Sequence, residues 1–196
     1  MNYDLEMERQ IETLKEGEKL LLHACCAPCS TAVLERLASF FRISIFYYNP
    51  NISEKEEYQK RVGEVKKLIN LVDSKYEIEL IEGDYNPEAF FEISKGLELE
   101  PERGKRCYKC YELRLEETAR IADKLGFNLF CTTLTLSPHK NSDWVNEIGR
   151  NLNNKYKANY LYSDFKKKEG YKRSIVLSKE YDLYRQDYCG CIYSKK

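Results

Sequence analysis

Short apolar runs alternate with stretches of helical periodicity along most of the chain, and this alternation constrains the fold more than any other feature. Leu20-Leu21-Leu22-His23-Ala24 reads as a buried strand. Arg42 to Tyr48 (RISIFYY) is a second, rich in aromatic and β-branched residues. Tyr76 to Ile81 is a third and Phe127 to Thr133 a fourth. Between them, Thr31 to Phe41 carries Val33, Leu34 and Leu37 behind Pro28, a residue suited to a first helical turn. Residues 54–72 place Tyr58, Val62, Val65, Ile69 and Val72 at three- and four-residue spacing. A helix over 87–95 starts at Pro87, and one over 108–125 follows Tyr111, Leu115, Ala119, Ala122 and Leu125 to Gly126. Helices are also expected over 3–16 and 142–153. Residues 100–106 read as a charged loop, and 158–196 as an irregular extension rich in Tyr, Lys and Arg. The alternation predicts an α/β fold of βαβ units, a mostly parallel sheet covered by helices. At 196 residues without repeat or low-complexity linker, residues 1–196 are expected to form one domain.

In such sheets ligands bind beyond the C-terminal strand ends. Cys25-Cys26 follows the first strand and Asn49-Pro50-Asn51 the second, so both fall at that edge. The chain carries eight cysteines, about 4% of its residues. A disulfide scaffold typically exceeds ~8%, and a chain of this length buries roughly 70% of its unfolded surface without cross-links. The N-terminus, MNYDLEMERQIETLKEGEK, has no apolar h-region, and runs such as Lys19 to Ala24 and Ile43 to Tyr48 fall far short of the ~20 residues of a membrane span. A cytoplasmic protein is therefore expected, with thiols kept for metal or redox chemistry. Lys+Arg and Asp+Glu both number 32, which argues against strong nonspecific binding to nucleic acid. The charge is uneven, however. Residues 77–102 hold nine acidic groups and one Lys, while residues 164–196 hold nine basic and five acidic groups.

Seven cysteines form three groups: Cys25-Cys26-x-x-Cys29, Cys107-x-x-Cys110 and Cys189-Gly190-Cys191. Each sets at least two thiols within one short turn, as a soft metal or an iron–sulfur cluster requires. Arg103, Lys105, Arg106 and Lys109 flank the middle pair, where positive charge would lower thiol pKa. Cys131 lies alone in an apolar run and reads as a core residue. Seven thiols overfill one zinc site. Four can hold a [4Fe–4S] cluster, leaving three for one further ion with an open position. Two zinc ions sharing a ligand are the other arrangement that the count allows.

The segment Leu22-His23-Ala24-Cys25-Cys26-Ala27-Pro28-Cys29 resembles the opening motif of the QueH-type epoxyqueuosine reductases. The resemblance continues through Phe46-Tyr47-Tyr48-Asn49-Pro50-Asn51-Ile52 with Glu57-Tyr58 and Arg61, then Arg106-Cys107-Tyr108-Lys109-Cys110-Tyr111 with Arg114-Leu115. Thr132-Thr133-Leu134, Ser137-Pro138-His139-Lys140, Asp164-Phe165-Lys166-Lys167 with Gly170-Tyr171, and Tyr184-Arg185-Gln186-Asp187-Tyr188-Cys189-Gly190-Cys191 complete it. It covers residues 20–193 nearly throughout, leaving residues 1–17 outside. It implies a Rossmann-like core of the HUP (adenine-nucleotide α-hydrolase-like) class. It also implies reduction of the epoxide of epoxyqueuosine at the tRNA wobble position, with a [4Fe–4S] cluster beside a mononuclear iron. Zinc is the alternative occupant of the purified protein. Some members of the family carry Asp where this chain has Cys29.

On this reading Cys26, Cys107, Cys110 and Cys189 are allotted to the cluster, and Cys25, Cys29 and Cys191 to the lone iron, where the chemistry occurs. Tyr48, Asn49, Asn51, Tyr184, Arg185 and Gln186 are expected to meet the everted base. Lys166-Lys167-Lys168, Lys172 and Arg173 are expected to meet tRNA phosphates, and His23 to be a hydrogen-bonded core residue. The expected partners are tRNA bearing epoxyqueuosine and an electron donor that the sequence does not identify. The competing readings are a non-catalytic, zinc-stabilised RNA-binding module and a thiol–disulfide reductase. No GxxxxGK[ST] occurs and the loop after the first strand is cysteine-rich, so no ATP use is expected.

Overall fold

The computed structural model describes residues 1–195. Five strands form one sheet: β1 (Lys19–His23), β2 (Arg42–Tyr47), β3 (Glu79–Glu82), β4 (Leu129–Thr132) and β5 (Asn159–Tyr160). Their order is β3-β2-β1-β4-β5, and every neighbouring pair is parallel. Seven α-helices accompany them among the described residues: α1 (Tyr3–Thr13), α2 (Ala27–Leu37), α3 (Lys55–Leu71), α4 (Pro87–Ser94), α5 (Lys105–Leu125), α6 (Ser142–Leu152) and α7 (Gly170–Glu180).

Strand pleating explains the apolar runs. Leu20 and Leu22 of β1, Ile43, Ile45 and Tyr47 of β2, and Leu129 and Cys131 of β4 pack in one core with α2, α3 and α7. Leu21, Phe46 and Phe130, the intervening residues, pack with α5 and α6 on the opposite face. A sheet buried on both faces needs continuous rather than alternating hydrophobicity. The chain winds outward from β1 to β3, then crosses to β4 on the other side of β1. The order therefore reverses between β1 and β4, and the crevice for a ligand opens above their C-terminal ends.

The C-terminal third is more regular than its sequence suggests. Residues 158–196 contain strand β5 and helix α7, while the link between them and the segment after α7 lack strands and long helices among the described residues. Helix α5 starts at Lys105, inside the stretch read as a charged loop, and ends at Gly126, which takes φ 73°. Helix α1 lies against the sheet edge. The Gln10 side chain donates to the Tyr160 carbonyl (3.2 Å) and accepts from the Tyr162 N–H (2.9 Å), so the open edge of β5 is partly satisfied.

Candidate metal centre

Only Ala24-Cys25-Cys26 links β1 to α2, so the first cysteines stand at the reversal point of the sheet. Cys26 caps α2, its Sγ accepting from the Cys29 N–H (3.4 Å), and Pro28 occupies the first turn. One helical turn then returns Cys29 to the same end. The Sγ atoms of Cys25, Cys26 and Cys29 all lie within 4.8 Å of one another, and those of Cys25 and Cys26 are 3.9 Å apart. Thiolates around a tetrahedral ion at ~2.3 Å sit roughly 3.8 Å apart, so this spacing suits a single ion. Among the described residues no other group of three or more Cys, His, Asp or Glu approaches so closely.

Thr133, just beyond β4, reaches across the crevice. Its hydroxyl donates to Cys25 Sγ (3.4 Å) and accepts from the Cys25 N–H (3.2 Å). Hydrogen bonds from the Cys26 and Cys29 thiols hold the Cys25 pKa well below the usual thiol value, with smaller contributions from Thr133 and the charge of Arg114. Cys29 is pushed up as a donor to Cys25 and Cys26. The trio thus favours one thiolate with two thiol donors, at a helix N-terminus that also stabilises negative charge.

The other four thiols meet from two directions. Cys107, Cys110 and Arg114 share one face of α5 through spacings of three and four. Cys189 and Cys191 arrive on the returning C-terminal segment and line one pocket with Cys107, Cys110, Arg114 and Lys140. Gly190 permits the turn between them. Its φ is 96°, and a Cβ there would lie 2.6 Å from Ile52 Cγ1. Asn51 Nδ2 and Arg61 Nη1 both donate to the Cys189 carbonyl (3.1 and 3.3 Å), and Arg61 Nη2 donates to that of Tyr188 (3.3 Å). Arg61 is in turn paired with Glu57 at 2.6 Å. The Cys191 thiol, then Lys140 and the Ser194 hydroxyl, hold the Cys189 pKa well below the usual value, whereas burial pushes Cys110 up.

Of the positive charges nearest in sequence, Arg106 lines the four-thiol pocket, but its hydrogen bonds go elsewhere. Arg106 turns to the carbonyls of Leu97, Glu98 and Glu100, and Lys109 pairs with Glu112. Arg103 supplies its backbone N–H to Cys107 Sγ (3.3 Å), from a left-handed conformation with φ 73°. Arg114 and Lys140 line the same pocket and add their charge to it. Burial opposes ionisation of each. The charge that Cys110, Cys25 and Cys189 carry when ionised outweighs this for Arg114, as that of Cys189 and Tyr111 does for Lys140, and both pKa values are raised. The sequence signal for Arg114 is its place four residues after Cys110, on the thiol-bearing face of the helix.

The thiols therefore divide three and four, not along the partition drawn from the sequence. Cys26 stands with Cys25 and Cys29, and Cys191 with Cys107, Cys110 and Cys189. The residues expected to meet substrate are placed as follows. Tyr48 is buried and stacks on Phe46, with centroids 5.9 Å apart. Asn49 is buried, donating to the Ala24 carbonyl (2.9 Å) and accepting from Arg114 (3.3 Å), while Asn51 is buried against Cys189. These asparagines brace the thiol-bearing turns. The Tyr184 hydroxyl donates to Glu57, and Lys60 lies over the Tyr184 ring. Arg185 is exposed, and the half-buried Gln186 brings its side chain to the Cys26 thiol.

Cys131 is fully buried in β4, where burial pushes its pKa up to about 12. His23 is also fully buried. Its Nε2–H donates to the Tyr48 carbonyl (3.0 Å) and its Nδ1 accepts from Thr132 (2.8 Å). Burial depresses its pKa to about 4 and keeps it neutral. Of the basic run, Lys166 pairs with Asp164, Lys168 with Glu8, Lys172 with Glu169 and Arg173 with Glu35. Most of that charge is therefore already matched, and the expected basic face is much reduced. No helix among the described residues is long and apolar enough to cross a membrane.

Residues 20–196 match the family of epoxyqueuosine reductase QueH. The chain is 41% identical over 201 residues to the epoxyqueuosine reductase QueH of Streptococcus pyogenes serotype M1, spanning 100% of this chain and 79% of the relative. It is 42% identical to that of Staphylococcus epidermidis, over 99% of this chain and 84% of the relative. To that of Thermotoga maritima it is 35% identical, over 89% of each. A chain with these matches, and with three thiols gathered at the reversal point of a parallel sheet and four more lining one pocket, belongs to the QueH family of epoxyqueuosine reductases.

Proposed function

We propose that this protein reduces epoxyqueuosine in the tRNA anticodon to queuosine, with Cys107, Cys110, Cys189 and Cys191 holding a [4Fe–4S] cluster and Cys25, Cys26 and Cys29 holding a single iron ion. The observation that carries this reading is the division of the thiols. Three stand at the mutual distance of ligands to one ion, and four line a separate pocket walled by Arg114 and Lys140. The donor sets fit these groups. Both are all-sulfur, both include a thiol held below its usual pKa, and the positive side chains around them offset thiolate charge.

Removal of the epoxide oxygen to leave an alkene consumes two electrons and two protons and releases water. When bound, the cluster supplies electrons and the lone ion supplies a Lewis acid for the oxygen. The chain's own residues prepare the site. Thr133 fixes Cys25 through both its backbone and its sulfur. Asn49 ties the Cys25 turn to Arg114, and Asn51 with Arg61 sets the height of Cys189. Of the residues first assigned to substrate, Gln186 and Arg185 retain that role. Gln186 borders the three-thiol site and has a buried Oε1 with no partner among the described residues. tRNA is the macromolecular partner, and electrons arrive from a separate carrier protein or small reductant.

The test is anaerobic purification with iron, sulfide and zinc analysis, followed by turnover of tRNA bearing epoxyqueuosine. About five irons and four sulfides per chain, with queuosine formed, is the expected result. Zinc without sulfide, in a colourless protein, would sink the reductase chemistry and favour a zinc-stabilised RNA-binding module. Cys29→Ala is expected to keep most cluster absorbance and to lose turnover.

A further inference from the structure

Arg114 is 3% exposed and has no carboxylate partner among the described residues. A guanidinium in that position is normally costly, because burial removes its hydration and no counter-charge replaces it. Its hydrogen bonds run to neutral groups at the two thiol sites. Nε donates to the Cys110 carbonyl (3.3 Å) in the four-thiol site. Nη1 donates to Asn49 Oδ1 (3.3 Å), and Asn49 Nδ2 donates to the Ala24 carbonyl (2.9 Å), the residue before Cys25. Its side chain lines the four-thiol pocket beside Cys110 and Cys189, and Asn49 ties it to the turn that carries Cys25. A buried, permanently charged side chain between two sulfur sites points to negative charge on those sites as its partner.

We infer that Arg114 is an electrostatic positioning residue shared by the two metal sites, whose fixed charge raises the reduction potential of the cluster and makes it easier to charge with electrons. Reduction adds negative charge to a centre, and a fixed positive charge nearby favours the reduced state. The low-dielectric surroundings keep that effect unscreened by salt. The inference rests on the cluster reading above. It goes beyond it in naming a residue that ligates nothing and yet sets the energetics of both sites.

The experiment is a potentiometric titration of the anaerobically loaded protein, followed by visible absorbance and electron paramagnetic resonance. Arg114→Gln removes the charge but keeps a hydrogen-bonding amide. Arg114→Lys keeps the charge and loses the fork. Asn49→Asp leaves Arg114 in place and sets a carboxylate against it. Arg114→Gln and Asn49→Asp are expected to lower the midpoint potential, with Arg114→Lys close to wild type. If Gln and Asp fail to assemble the cluster while Lys assembles it, the requirement for charge is again supported. An unchanged midpoint in fully loaded Gln and Asp variants would overturn the inference. So would an equal fall, or equal loss of cluster, in all three variants, because geometry rather than charge would then be responsible. Absence of iron and sulfide from the wild-type protein would instead refute the cluster reading itself.

Discussion

Gly190 separates two thiols by one residue, and its surroundings leave no room for a side chain. The φ of 96° is strained for any L-residue, and a Cβ would meet Ile52 at 2.6 Å. Gly190→Ala is expected to cost about 1–3 kcal/mol in a thermal or urea melt. It should also lower iron at the four-thiol site while leaving the three-thiol site loaded, which iron and sulfide analysis resolves. Cys131 makes the opposite case. It is enclosed by the core and its Sγ lies 3.7 Å from Ser163 Oγ, far from a ligand set. Cys131→Ala is expected to keep full metal content and to lose about 1 kcal/mol from the small cavity left behind. This contrast was legible in the sequence, because Cys131 is alone in an apolar run while the other seven are grouped. Which group joins which was not legible. Local spacing brings Cys25, Cys26 and Cys29 together within one turn, but only tertiary folding delivers Cys191 rather than Cys26 to Cys107 and Cys110. The same limit applies to Asn49 and Asn51. Their position at a strand end was readable, whereas the commitment of the Asn49 amide to Ala24 and Arg114 depends on the packing of α5 over the strand ends, and that of Asn51 to Cys189 on the chain's return from residue 180 onward.

Helix α3 illustrates how an element far from the chemistry sets it. One face, carrying Tyr58, Val62, Val65 and Leu68, is ordinary core. Arg61 is equally buried, yet its guanidinium emerges beneath the returning segment and holds the carbonyls of Tyr188 and Cys189. Removing it leaves the half-buried Glu57 carboxylate without its counter-charge, with the Tyr184 hydroxyl as its remaining donor. Arg61→Met is therefore expected to destabilise by about 3 kcal/mol, measured by urea unfolding. Iron at the four-thiol site should fall more than at the other. Unchanged stability would mean that the pair contributes nothing beyond its own desolvation. Strands β1, β2 and β4 and helices α3 and α5 were readable because their apolar spacing matches their period. Helix α7 was not, since its buried face includes Ser174 and Ser178, whose hydroxyls bond back to carbonyls of their own helix, while Val176 points outward. Strand β5, two residues long, shows no period at all.

At the scale of the whole molecule the two sites draw on parts of unequal robustness. Cys25 and Cys26 sit in the short link between the central strand β1 and helix α2, and Cys29 in the first turn of that helix, against a core enclosed from both faces. Cys189 and Cys191 sit on a segment tied down mainly by polar contacts: Asn51, Arg61, Glu57 with Tyr184, Glu64 with the Tyr184 N–H, and Glu54 with Lys195. Leu183 is among its few buried apolar anchors. A metal cluster bridging that segment to α5 binds only states in which the segment is docked, and so stabilises those states selectively. Stripping the metal with a chelator under reducing conditions is therefore expected to speed amide hydrogen exchange in residues 184–194 by at least about tenfold. Amides of β1, β2 and β4 should remain near their protection in the loaded protein. If instead the central strands lost protection to the same degree, the segment and the sheet would form one cooperative unit. The sheet alone would then not be the scaffold on which the four-thiol site is assembled.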